Sequence, residues 1–291
     1  MKYSGRRGRF ERGSHVTKRG ILPVVLIPVF LVIMAISIVE LLRPEMEQSE
    51  YEDLSAIVHI SDNINDTNTM PPQINTNESQ QETATETDAE SLPLPTETEL
   101  IILAQYEPIY EKNSDFFGWI QIAGTAVDYP VMHTPNDPEF YLRKDFYGDY
   151  SVSGVPFLSA ECYEGCGNYI IYGHNMKNGS MFNTIMSYRD ENFWREHPTI
   201  DFDTLYQSGE YEIFAVLYSE VYDVDEAGVF RVYNYCDLSE EQFFNEFTRQ
   251  AKEASIYNTG VEASFGDEFI TLITCSYHVK NGRFVVIAKR I

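Results

Sequence analysis

The sequence predicts a mainly β domain with a few appended helices, set behind an apolar segment and an acidic stretch. Short runs rich in β-branched and aromatic residues recur from residue 118 to the end, the signature of strands. Only a few segments show a helical period. Residues 21–39 hold no charge, and an acid-rich, low-complexity stretch separates them from the strand-rich part.

Seven Lys/Arg residues stand against Glu11 alone in the first 20 positions, so the remainder of a chain of net charge −24 nets about −30. That balance argues against a nucleic-acid partner, because phosphates would be repelled. The uncharged run from Ile21 to Val39 would span roughly 28 Å as a helix, about one hydrocarbon core. Basic residues before it and their near-absence after it predict a single-pass anchor over 21–42, with residues 1–20 cytoplasmic and the bulk outside. A cleavable signal peptide is the competing reading, since Ala35-Ile36-Ser37 resembles a small-residue cleavage site. Either way the remaining chain works outside the cytosol.

Residues 43–98 read as an acidic, disordered tether. Across 43–99 there are fourteen Asp/Glu with Arg43 the lone Lys or Arg, and Ser, Thr, Asn and Gln are abundant, as in NTNESQQETATETDAES. Such a composition buries too little apolar surface to offset chain entropy. The folded unit is expected over 99–291.

ELIILAQYEPIYEKN, 99–113, opens that unit with a helical pattern. GWIQI, DYPVMH, GVPFLSA, NYIIYGH, TIDFDT, YEIFAVLYSEV, FITLITC and RFVVIAKRI follow as strands. Many have apolar residues on both faces, as expected in a closed or two-layered sheet. Residues 179–197 look helical. So do residues 239–255, where Ser239 and Gln242 have capping-box spacing and Phe243, Phe244, Phe247 and Ala251 form an apolar face.

Of four cysteines, Cys162 and Cys166 are close enough for a small loop disulfide. Four cysteines allow three pairings, and the sequence does not choose among them. A zinc site is not expected, because no second ligand pair sits at a matching spacing. Cys275 ends the apolar run TLITC and is either a buried hydrophobe or a nucleophile that needs a basic neighbour. Among six histidines, His15 falls on the cytoplasmic side and His59 in the tether. His278 would point to the opposite strand face from Cys275, and His133 and His197 sit beside turn prolines as surface residues. His174 remains, where an apolar strand enters a Gly/Asn-rich loop, and a structural histidine at a strand end is the alternative. Arg283 follows Asn281-Gly282, a hairpin dipeptide. A tight hairpin there would pair Cys275 with Ala288 and leave Arg283 about 17 Å away. The two share a site only if 276–282 opens into a broad loop.

TLITC with Arg283 before a terminal apolar strand, and IIYGHNM about a hundred residues earlier, resemble the sortases, specifically class B. The resemblance extends over nearly all of 99–291, through GWIQIAGTAVDYPVMH, EFYLRKDFYGDYSVSGVPFL and the helix before the last strands, which class A enzymes lack. It implies a closed β-barrel with an N-terminal helix and a long helix before the catalytic strand. It also implies that Cys275 is the nucleophile, His174 the acid/base and Arg283 the support for substrate and oxyanion. The expected activity is transpeptidation. A C-terminal sorting motif of a secreted protein is cleaved through a thioacyl intermediate, and the acyl fragment passes to an amine of a cell-wall precursor or to a pilin lysine. No cofactor or metal is implied. Ser159 stands where the resemblance suggests aspartate after FL, and no carboxylate lies within two residues of Cys275. An extracellular cysteine hydrolase with the same three residues, and a catalytically silent binding module, are the alternatives.

Overall fold

The structure, a computed structural model, describes residues 21–66 and 100–291. Contacts divide the chain into a unit up to Met46 and a compact unit from Glu47 to Ile291. The expected cytoplasmic segment 1–20 and the tether from 67 to 98 lie outside the described residues.

Helix α1 runs from Ile21 to Asp66. In its first part Val29, Phe30, Leu31, Val32 and Ile33 are exposed. Among the described residues no helix is long and apolar enough to cross a membrane, so the span expected at 21–42 is not displayed by the structure.

From residue 43 to 66 the expected irregular tether is helical instead. Tyr51, Leu54 and Val58, at i, i+3 and i+7, form a buried stripe of the kind that docks a helix on a core. Tyr51 stands edge-on to Tyr129 with ring centroids 5.4 Å apart, and its hydroxyl donates to the Gly154 carbonyl at 3.2 Å. Ser151 donates to the Glu47 carboxylate at 2.8 Å, and Ser55 donates to Asp128 at 2.6 Å. Three apolar side chains at the right period outweigh an acidic composition once they have a surface to cover.

Eight strands follow: β1 Phe116–Gln121, β2 Asp128–Met132, β3 Phe157–Leu158, β4 Asn168–Tyr172, β5 Thr199–Thr204, β6 Glu210–Glu220, β7 Phe269–Cys275 and β8 Gly282–Arg290. They close a barrel in the order β1-β2-β3-β4-β7-β8-β6-β5. The β1–β5 seam depends on Gly118, where a Cβ would overlap the Asp203 carbonyl. Strands β4 and β7 are parallel neighbours, and β7 and β8 are antiparallel. All but the last residue of each of β4 and β7 are buried. Such two-sided burial needs a cover outside the barrel.

That cover includes α4, Glu241–Ala254. Phe244 and Phe247 lie 5.9 and 5.2 Å, ring to ring, from Phe269 of β7. Phe243 is exposed, so the apolar stripe is narrower than the sequence suggested. The N-cap is Glu240 without a side-chain cap bond, which replaces the expected Ser239 box. The helical pattern at 99–113 yields only α2, Glu107–Tyr110. That at 179–197 yields a 3₁₀ segment, Thr184–Arg189, and α3, Glu191–Glu196.

Candidate active site

The parallel register of β4 and β7 aligns Tyr172 with Ile273. The same offset carries residue 174 to residue 275, just past the end of the ladder. Two bonds extend the alignment: Gly173 N–H donates to the Ile273 carbonyl at 3.1 Å, and Thr274 Oγ1 donates to the Gly173 carbonyl at 2.7 Å. Strand ends on a rigid sheet are where reactive side chains are best presented.

Cys275 is the direct register partner of Arg283. Opposed residues of an antiparallel pair share a face, so the thiol and the guanidinium project from the same side of the β7–β8 sheet. The connection opens into a broad loop, as a shared site requires. Ser276 N–H donates to the Gly282 carbonyl at 2.9 Å and closes its foot. Asn281 adopts φ +59, so the Asn-Gly pair serves as the return corner of this loop and not as a two-residue hairpin tip.

His174, Cys275 and Arg283 all line one cleft of about 430 Å³. Leu142, Val155, Phe157 and Ile273 give it apolar walls, and Glu139 and Glu161 add carboxylates. Cys275 is partly exposed, which contradicts the reading of it as a buried hydrophobe. Arg283 Nη1 donates to the carbonyls of Asn281 and Gly282 at 3.2 and 3.1 Å. A guanidinium has five donors, so others remain for a ligand.

His174 Nε2 is 2.9 Å from the Leu142 carbonyl. A carbonyl only accepts, so Nε2 carries the proton and Nδ1 holds the lone pair. The partner that fixes this ring is a backbone oxygen and not a carboxylate. Burial holds the imidazole below the ordinary histidine range; the Leu142 bond opposes this, and the charge of Arg143 adds to it. Neutral imidazole is therefore the resting form near neutral pH.

Other residues of the site were not assigned from the sequence. Asn175 Nδ2 donates to the Cys275 carbonyl at 2.9 Å, and Asn183 donates to Asn175 Oδ1 at 2.7 Å. This relay ties the loop after His174 to the end of β7. Its signal was the Asn of IIYGHNM, next to the histidine. Tyr172 lines the cleft, its phenol pushed up to about 12 by burial, against the opposing pull of a Ser159 bond and the Arg283 charge. Ser159 is buried and donates to Glu161 at 2.8 Å, so the position suggested for an aspartate has its carboxylate two residues on.

The remaining histidines divide. His278 bonds Ser276 Oγ at 2.9 Å within the loop. His59, expected in the tether, lies 3.6 Å from Asp128. His133, expected at the surface, is half-buried, and its enclosed Nε2 has no hydrogen-bond partner among the described residues. Cys162, Cys166 and Cys236 are buried and unbridged, so the loop disulfide that the spacing of Cys162 and Cys166 allows is not formed in this structure.

A barrel that presents a thiol, an imidazole and a guanidinium in one cleft defines a class of thiol acyl-transfer proteins. Residues 120–291 match the family model of the sortase domain, and the chain belongs to the sortase family. Within it the similarity is to class B, whose members are cysteine transpeptidases. The chain is 32% identical over 188 residues to Sortase B of Listeria monocytogenes, covering 62% of this chain and 72% of that one. It is 29% identical over 191 residues to Sortase B of Staphylococcus aureus, covering 64% and 74%. The solved structure of the Staphylococcus aureus sortase B–substrate complex is similar with a TM-score of 0.57 at 28% identity, covering 65% of this chain and 86% of that one.

Proposed function

We propose that this chain cleaves a sorting motif near the C-terminus of exported proteins and transfers the acyl fragment to an amine, through a thioester on Cys275. The observation that carries the reading is the common cleft of Cys275, His174 and Arg283. The similar structure of a sortase B with substrate supports it.

The residues divide the work by their chemistry. Cys275 sulfur attacks the scissile carbonyl while its proton passes to His174, whose neutral form is favoured by burial. The imidazolium then gives that proton to the departing amine as the C–N bond breaks and the thioester remains. An incoming amine attacks the thioester, loses a proton to His174, and the sulfur leaves. Arg283 keeps its charge at any working pH and so cannot be the base. Its planar donors hold the oxyanion as negative charge develops. The acceptor is an amine of a cell-wall precursor or a pilin lysine.

The proposed location is the cell membrane, with residues 1–20 cytoplasmic, 21–42 as anchor and the catalytic unit outside. The uncharged run 21–39 and the basic cluster before it support this, as do the exposed apolar side chains among residues 29–39. Retention in the membrane fraction after alkaline extraction is expected, and release would refute the anchor.

The test is incubation of the full chain with a library of Pro- and Thr-containing pentapeptide motifs and an excess of amine. A new amide joining the motif to the amine is expected. Cleavage that yields only the free acid at saturating amine would make the chain a hydrolase.

A further inference from the structure

Three cysteines that the acyl-transfer chemistry does not use meet behind the wall of the cleft. Cys162 and Cys166 belong to the β3–β4 connection, and Cys236 precedes α4, seventy-odd residues later. All three are at most 5% exposed. Their sulfur atoms all lie within 4.8 Å of one another, with those of Cys162 and Cys236 at 3.1 Å.

The backbone holds the two segments together. Asn168 N–H donates to the Cys236 carbonyl, and Leu238 N–H donates to the Cys166 carbonyl, both at 3.1 Å. Asn168 Nδ2 donates to the Tyr235 carbonyl at 2.7 Å. Ile170 N–H points at Cys162 Sγ at 3.3 Å, a donor that suits a sulfur bearing negative charge.

A disulfide would join two of these sulfurs and strand the third in the core. A tetrahedral ion with bonds of about 2.3 Å to sulfur sets ligand sulfurs about 3.8 Å apart. Shifts of well under 1 Å at the shortest pair would meet that spacing, and an ion would use all three.

We propose that Cys162, Cys166 and Cys236 bind one soft divalent ion, zinc by its ligand chemistry, as three thiolate ligands. Binding releases the three thiol protons to solvent and forms three metal–sulfur bonds, with no change of oxidation state. Cys162 directly follows 158–161, residues that line the cleft, so the ion would brace that wall. Spacing alone hid the site, because its third sulfur comes from a distant segment.

The experiment uses the full chain carrying Cys275→Ala, reduced and stripped of metal, so that every remaining thiol belongs to the cluster. Cobalt(II), then zinc, is titrated in. One equivalent is expected to bind with the absorption of a tetrahedral thiolate complex, and zinc should displace it. Zinc should also protect three thiols from alkylation. Cys236→Ala with an unaltered far-ultraviolet spectrum should bind at least tenfold more weakly. Full alkylation at saturating zinc in the folded chain would overturn the proposal. So would a reduced cluster that binds no cobalt and re-forms a disulfide in air.

Discussion

Replacing Gly173 by alanine tests how the barrel aims His174. A Cβ at residue 173 would lie 2.5, 2.6 and 3.0 Å from three atoms of the Phe182 ring. Ordinary contact is 3.4–4 Å, so ring and backbone must separate by about 1 Å. Phe182 is fully buried, and its N–H donates to the His174 carbonyl at 2.9 Å, so neither partner moves alone. Overpacking of this kind costs about 1–3 kcal/mol, a fall in Tm of about 2–12 °C for a unit of this size. A displacement of about 1 Å at the imidazole should lower kcat/KM about a hundredfold. Peptide cleavage kinetics and calorimetry read the two effects. Phe182→Leu in the same chain should restore part of both, giving a coupling that two independent losses would not show. Normal kcat/KM in Gly173→Ala, or strictly additive losses in the double variant, would refute the packing argument.

Tyr51→Ala should destabilise the unit by about 3–5 kcal/mol in denaturant titration, since the ring is 1% exposed; a loss below 1 kcal/mol would mean that α1 is not docked there. Arg283→Lys should lower turnover severely, because an ammonium does not reproduce the planar fork; near-normal turnover would reduce Arg283 to a placed charge. Burial keeps His174 below its ordinary value of 6.5, so below about pH 6.5 the unfolded chain binds this proton more readily than the folded one. Wild type should therefore lose stability relative to His174→Gln as pH falls from 7.5 to 5.5. An unchanged difference between the two would contradict the buried neutral ring.

The barrel was legible because each of its eight strands is written as a branched and aromatic run between turn residues, and two-sided burial leaves the strongest pattern in β4 and β7. Register was legible as a condition: the sequence shows that Cys275 and Arg283 meet only across a broad loop, and the structure supplies it. Helix α1 beyond residue 43 was hidden because an acidic, polar-rich composition masks the helical spacing of Tyr51, Leu54 and Val58. The short helices at 99–113 and 179–197 shrank because turns and 3₁₀ geometry take over where the chain follows the barrel surface. In the site, the Leu142 carbonyl that orients His174 could not be read at all. A backbone oxygen has no residue type, and only the fold brings position 142 to position 174.

The most direct test of the account is the intact mass of the full chain mixed with a cleavable sorting peptide in the absence of amine. The account predicts an acyl adduct mapping to Cys275, absent from Cys275→Ala, which added amine discharges as a new amide. Cleavage that persists in Cys275→Ala, or an adduct on Cys162, Cys166 or Cys236 instead, would contradict it.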